Sequence, residues 1–152
     1  MKLLDANALL RYVLNDISEQ SDVVANAISE GCSTTPEVIA EVVYVLDGVY
    51  GMPREEISWV IHCVLLDVRV EDVRCLRYAV GVYNLTKLDF VDCLLIAYHK
   101  VLGLEILSFD RKLNSTLNRD LQVFQPENPF KNQHSSLQQR SDELHDRTSE
   151  LH

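Results

Sequence analysis

The chain has 152 residues, of which 47% are hydrophobic and 24% are charged, a balance typical of one globular domain with a substantial core. No apolar run approaches the ~20 residues of a membrane span, and the N-terminus lacks a signal-peptide pattern, so we expect a cytoplasmic protein without membrane association. The formal net charge of −9 excludes the general basic surface of a non-specific nucleic-acid binder.

The first predicted strand is short and ends in a carboxylate. Residues 2–4 lead into Asp5, and a helical spacing of apolar residues follows without an intervening Gly or Pro. Asp5 is therefore expected at the carboxyl end of a buried strand. Ligands of open α/β sheets bind at that end of the strands.

The middle of the chain is predicted to alternate helices with short strands. Its predicted elements are a helix over 19–30 capped by Ser18, a strand at 32–35, helices over 36–50 and 54–67, a strand at 68–70 and a helix from 72 to 83. Glu41 is three and four residues from Val38 and Val45, so the spacing places it on or beside an apolar face.

Two further acids stand in apolar contexts in the second half. Asp92 opens a predicted helix that ends near Leu102, with Gly103 as its stop. Residues 105–110 predict a strand that ends in Asp110, and residues 121–124 predict a last strand.

Alternating strands and helices predict an α/β fold, a three-layer sandwich with a central parallel sheet. We expect this domain to occupy residues 1–127. Residues 128–152 form a polar C-terminal tail that is predicted to be disordered or a short helix. Leu137, Leu144 and Leu151 recur every seven residues in the tail, but the run is too short to indicate a coiled coil.

The acids Asp5, Glu41, Asp92 and Asp110 suggest a metal site if the fold brings them together. At ~5 Å and an effective dielectric of about 20, two carboxylates repel by about 3 kcal/mol, so such a cluster needs a hard divalent cation. Taken singly, each acid also has a structural interpretation. Asp5 and Asp110 fit as helix caps, Glu41 as the partner of an Arg, and Asp92 as a first-turn charge favoured by the helix dipole.

Four ordered segments carry a family resemblance. They are Leu4-Asp5-Ala6-Asn7, Pro36-Glu37-Val38-Ile39-Ala40-Glu41, Leu88-Asp89-Phe90-Val91-Asp92 and Ser108-Phe109-Asp110. In this order and spacing, over residues 1–126, the chain resembles the PIN domain family, specifically the VapC-type toxins of type II toxin–antitoxin systems. The resemblance implies a Rossmann-like, metal-dependent endoribonuclease that leaves a 5′-phosphate and a 3′-hydroxyl. It also implies inhibition by a small cognate antitoxin and a homodimer.

The resemblance assigns roles to the acids and to their polar neighbours. Asp5, Glu41, Asp92 and Asp110 would be the catalytic acids that hold one or two Mg²⁺ or Mn²⁺ ions, with Asp89 as an accessory or substitute ligand. Asn7 and Ser108, each two positions from an acid, would orient ligands or water.

Three cations follow the acids closely in the sequence. Arg11, Arg111 and Lys112 are candidates for contacts with substrate phosphates, although solvated surface charge is the more ordinary interpretation.

Two other functions are compatible with the early carboxylate. A Mg²⁺-dependent phosphohydrolase with Asp5 as nucleophile would ordinarily need a second acid two residues later, where this chain has Asn7. A non-catalytic interaction module would use the same acids structurally and bind a partner with its tail.

Overall fold

The computed structural model describes residues 1–123, which form an α/β sandwich around a parallel sheet. The described strands are β1 (Lys2–Leu3), β2 (Cys32–Thr34) and β3 (Arg69–Val70), in the spatial order β1-β2-β3. Both pairings are parallel, which confirms the predicted sheet type. The predicted tail at 128–152 and the boundary at 127 lie outside the described residues.

Helices connect the strands and fill the second half of the described chain. They are α1 (Ala6–Leu14), α2 (Ser18–Glu30), α3 (Pro36–Gly48), α4 (Arg54–Asp67), α5 (Val73–Leu85), α6 (Phe90–Leu102) and α7 (Arg111–Leu117). Within residues 1–123, no helix is long and apolar enough to cross a membrane.

Most helix boundaries follow local signals. Thr35 occupies the N-cap of α3 and its hydroxyl accepts a hydrogen bond from the amide of Val38 at 3.3 Å, while Gly103 ends α6 in the left-handed conformation. The predicted cap at Ser18 is wrong: Ile17 occupies the N-cap of α2 without a side-chain bond, because Ser18 is already the first helical residue.

The core lies where the helices meet one another and the sheet. Its largest fully buried apolar side chains are Leu9, Ile39, Leu46, Ile57, Ile61, Leu76, Ile96 and Leu113. Each such burial contributes about 1.5–3 kcal/mol relative to exposure. The most extensive helix pairing joins α5 to α6, so α6 is held along its length by its neighbour.

Two strand predictions need correction. Residues 103–110 are irregular chain, as are residues 121–123, and within the described chain neither segment joins the β ladder. Ile106 is half-buried, whereas Leu107 and Phe109 are 90% and 95% exposed. Exposed and half-buried side chains alternate over 105–109, as they do in a strand. A strand also needs a neighbouring strand to pair with its backbone N–H and C=O groups.

The first strand is also less buried than predicted. Both residues of β1 are exposed, and only Leu4, which follows the strand, is buried. In the described sheet β1 is an edge strand, so one side of its backbone faces away from the ladder.

Candidate functional site

Two acids lie at the start of α6. Asp89 occupies the N-cap position with extended backbone, but its side chain forms no capping bond. Asp92 lies in the first turn and is partly buried. Burial raises the pKa of Asp92, and the carboxylates of Asp110 and Asp89 raise it further. The negative charges of Asp110 and Asp89 therefore disfavour the ionised form of Asp92.

Asp110 lies at the start of α7 and is held there by its own surroundings. One oxygen, Oδ1, accepts a hydrogen bond from the amide of Leu113 at 2.9 Å. The amide of Asp110 donates to Oγ of Ser108 at 3.0 Å, and Nδ2 of Asn114 donates to the carbonyl of Ser108 at 2.8 Å. Ser108 thus supports the turn that presents Asp110, whose carboxylate is exposed.

Asp5 has the same relation to α1. Its Oδ1 accepts a hydrogen bond from the amide of Ala8 at 2.8 Å, so the carboxylate caps the helix that follows β1. The capping interpretation is therefore confirmed for Asp5 and for Asp110. A carboxylate has two oxygens, so a cap leaves Oδ2 of each acid for another partner. Asn7 is exposed in the first turn of the same helix.

Glu41 is exposed on α3 and lies beside the apolar face, as its spacing predicts, because Val38 and Val45 are partly buried and pack against the core. The helix buries Ile39, Val42 and Val43 and leaves Glu41 exposed between half-buried neighbours. The structural alternative, an ion pair with an Arg, is not found: within residues 1–123, the one ion pair joins Arg11 to Asp16.

The structure brings some of the predicted acids together. Asp110 and Asp89 are close enough to Asp92 to raise its pKa, whereas Asp5 caps α1 and Glu41 lies on α3, which packs against both α1 and α6. Among residues 1–123, no group of three or more His, Cys, Asp or Glu side chains is arranged to hold a metal ion. Carboxylates repel one another when no cation lies between them. Their hard oxygen donors nevertheless fit Mg²⁺ or Mn²⁺ in chemical type.

The predicted cationic residues occupy different settings. Arg11 donates from Nη1 to Oδ2 of Asp16 at 2.6 Å, so its guanidinium already has an anionic partner. Arg111 and Lys112 are exposed in the first turn of α7, directly after Asp110. Arg111 and Lys112 are thus better placed than Arg11 to reach a ligand near Asp110.

Comparison with known proteins decides the family. The family model of the PIN domain matches residues 2–116, about three quarters of the chain. The chain belongs to the PIN-domain family. It is also 32% identical over 120 residues to a protein named VapC ribonuclease from Aquifex aeolicus (strain VF5), an alignment that covers 74% of this chain and 89% of the relative. No solved structure matches significantly.

The matched region of the PIN domain contains every acid of the candidate site. It begins within β1, three residues before Asp5, and it ends within α7, six residues after Asp110. The resemblance inferred from the ordered acidic segments is thereby confirmed.

One residue near the PIN-domain acids was missed in the sequence. Arg54, half-buried at the start of α4, donates from Nε to the carbonyl of Tyr83 at 2.9 Å and from Nη2 to the carbonyl of Leu88. Its guanidinium carbon lies 3.6 Å from the centre of the Tyr83 ring. A sequence signal exists, because a cation at the first position of a helix opposes the helix dipole.

Proposed function

We propose that this PIN domain is a divalent-metal-dependent endoribonuclease and the toxin of a toxin–antitoxin pair. The observation that carries the proposal is that α6 and α7, which pack against each other, carry Asp89, Asp92 and Asp110 at their starts, with no cation paired to these acids within residues 1–123. The family membership and the relative named VapC ribonuclease support the same reaction class. The excess negative charge is what a bound divalent cation would offset.

The proposed ligands come from separate parts of the chain. Asp92 and Asp110 would hold the cation from the starts of α6 and α7, Asp5 and Glu41 from α1 and α3, and Asp89 would be an accessory ligand. When bound, Mg²⁺ or Mn²⁺ supplies a more acidic water and offsets charge on the phosphodiester. We propose one or two such ions.

The remaining residues would orient the ligands and the substrate. The helix amides that bond to Oδ1 of Asp5 and Asp110 restrict how each carboxylate rotates, so Oδ2 keeps a defined direction. Ser108 accepts a hydrogen bond from the amide of Asp110 and so helps to fix its backbone. Asn7 is proposed to orient a ligand or water beside Asp5. Arg111 and Lys112 are proposed to contact RNA phosphates, and Arg11 would first have to leave Asp16.

The partners belong to the same proposal. We propose RNA as substrate, a small cognate antitoxin as inhibitor, a homodimer as the assembly and the cytoplasm as the location. The net charge of −9 supports the need for a cation or a local basic rim, since RNA and the protein otherwise repel each other.

Cleavage of a mixed RNA pool tests the proposed reaction. The purified protein, free of partners, is incubated with Mg²⁺, Mn²⁺ or EDTA beside Asp5→Asn and Asp22→Asn. Asn retains an N-cap oxygen, so Asp5→Asn removes charge while it preserves the start of α1. Asp22→Asn makes the same chemical change at an exposed position of α2.

We expect metal-dependent cleavage by the wild type and by Asp22→Asn, and at least a hundredfold loss in Asp5→Asn. Cleavage that persists in EDTA, or that survives intact in Asp5→Asn, would contradict the proposal.

A non-catalytic module is the second candidate, because Asp5 and Asp110 both act as helix caps. In that case Mg²⁺ would not raise the unfolding temperature, since separately capped acids gain nothing from a cation. A cation that binds only the folded state, present at a concentration of a hundred times its Kd, would instead stabilise the protein by about 2.7 kcal/mol.

A further inference from the structure

We infer that Arg54 is a positioning residue, which fixes the start of α6 and through it the placement of Asp89 and Asp92. The inference rests on the proposed metal-dependent function and adds a residue outside the acidic set. Arg54 touches none of the five acids through a hydrogen bond or ion pair within residues 1–123. Its action on them would therefore pass through the backbone.

The guanidinium of Arg54 connects three helices. It extends from the first residue of α4, donates to the carbonyl of Tyr83 near the end of α5, and donates to the carbonyl of Leu88 just before α6. It also stacks on the ring of Tyr83, whose centre lies 5.9 Å from that of Phe90 in an edge-to-face arrangement. Phe90 is the first residue of α6, so both contacts lead to the same helix start.

The carbonyl of Leu88 determines how Asp89 is presented. It belongs to the planar peptide unit that contains the amide nitrogen of Asp89, so holding the oxygen holds the plane from which Asp89 departs. Sγ of Cys93 also approaches this oxygen at 3.8 Å from one turn into α6. The planar fork of an Arg side chain bonds to two carbonyls at once, which one ammonium group cannot reproduce in the same geometry.

The positive charge of Arg54 is unfavourable at its position unless specific hydrogen bonds hold the guanidinium. A positive charge at the first residue of α4 is unfavourable with respect to the helix dipole, and Arg54 is half-buried. Its hydrogen-bond partners are neutral carbonyls rather than a carboxylate. The contacts thus hold the connection between α5 and α6, which carries Asp89.

Three variants separate this role from a general effect on packing. Arg54→Met removes the charge and both donors, and Arg54→Lys keeps the charge without the fork. Ser58→Ala is the matched control: the Ser58 hydroxyl, one turn further along α4, donates to the Arg54 carbonyl at 2.8 Å and approaches the Val80 carbonyl at 3.5 Å. Ser58 is buried, and within residues 1–123 its hydroxyl forms no hydrogen bond with Leu88.

Two measurements on the full chain test the inference. Hydrogen exchange of the metal-free protein reports on residues 86–93, and titration calorimetry with Mn²⁺ reports on the site. In Arg54→Met we expect faster exchange in residues 86–93 than in β2 and α3, and Mn²⁺ affinity lower by about tenfold or more. Arg54→Lys should resemble Arg54→Met, and Ser58→Ala should bind Mn²⁺ as the wild type does.

The outcomes distinguish the inference from the proposed function. Wild-type Mn²⁺ affinity in Arg54→Met or in Arg54→Lys overturns the inference alone, and so does equal loss of affinity in Ser58→Ala. If the wild-type protein binds no Mn²⁺ while exchange in residues 86–93 still rises in Arg54→Met, the metal-dependent function fails and Arg54 supports only the fold.

Discussion

Asp92 is a partly buried carboxylate whose ionised form is disfavoured by its surroundings. Partial burial and the charges of Asp110 and Asp89 raise its pKa, so its ionised form is less favourable in the folded state than in the unfolded chain. The folded protein then binds a proton at Asp92 more tightly than the unfolded chain does. A divalent cation at the same place would remove the conflict.

Because the ionised form of Asp92 is unfavourable in the folded state, we expect Asp92→Asn to stabilise the metal-free protein at neutral pH. Because the folded-state pKa of Asp92 is raised, stability is lost as pH rises from the ordinary Asp pKa through the raised value. In EDTA at pH 7 we expect an unfolding temperature higher by about 1–3 °C in Asp92→Asn.

The gain should disappear as the pH falls below the ordinary Asp pKa, where both proteins carry a neutral side chain at position 92. Asp22→Asn is the control for loss of one surface charge. A lower unfolding temperature for Asp92→Asn in EDTA at pH 7 would contradict the interpretation.

Asp110 combines a structural and a proposed catalytic role, which two substitutions separate. Asp110→Ala removes the cap of α7 and should lower the free energy of unfolding by about 1 kcal/mol in EDTA, whereas Asp110→Asn retains a capping oxygen and should not. Urea unfolding measures the difference. Both variants should lose metal-dependent RNA cleavage, and equal stability of the two would show that the cap contributes nothing.

Among the elements, the helices were predictable and the strands were less so. The predicted helix at 54–67 has the observed bounds of α4, and Gly103 ends α6 as expected. Those signals are local, because caps and apolar spacing act within a few residues. Whether residues 105–110 join a ladder depends on a neighbouring strand, which no local pattern contains. The helix α7 was not predicted, being short and largely polar.

The end of α6 provides a test of a local signal. Gly103 has a φ of 72°, and a Cβ added there would meet no atom within 4 Å, so only the backbone conformation opposes a side chain. Gly103→Ala should lower the free energy of unfolding by about 1–2 kcal/mol.

Gly48→Ala is the matched control, since Gly48 ends α3 without a positive φ and also faces open space. It should leave stability unchanged or raise it by up to about 1 kcal/mol, because Ala favours helix more than Gly does. The same sign of change in both variants, measured by urea unfolding, would contradict the argument.

For the whole molecule, the order of the acids was more informative than their surroundings. The ordered segments predicted the PIN family from residues spread over more than a hundred positions, and the family match confirms it. The spacing places Glu41 beside the apolar face of α3, as observed, but it does not say which elements cover that face, and Glu41 is exposed. Arg54 was missed for a related reason, since its partners are backbone carbonyls 29 and 34 residues away.

The electrostatics of the whole domain agree with a protein that acts together with a cation. The chain carries a net charge of −9, which would repel a polyanion such as the proposed RNA substrate, and Asp89 and Asp110 raise the pKa of Asp92 at the start of α6. The proposed function therefore depends on whether these acids bind a divalent ion.

The most direct test is a Mn²⁺ titration of the purified wild-type protein, followed by electron paramagnetic resonance, beside Asp92→Asn and Asp22→Asn. We expect saturable binding by the wild type and by Asp22→Asn, and affinity lower by about tenfold or more in Asp92→Asn. Equal Mn²⁺ affinity in all three proteins, or no saturable binding by the folded wild type, would contradict it.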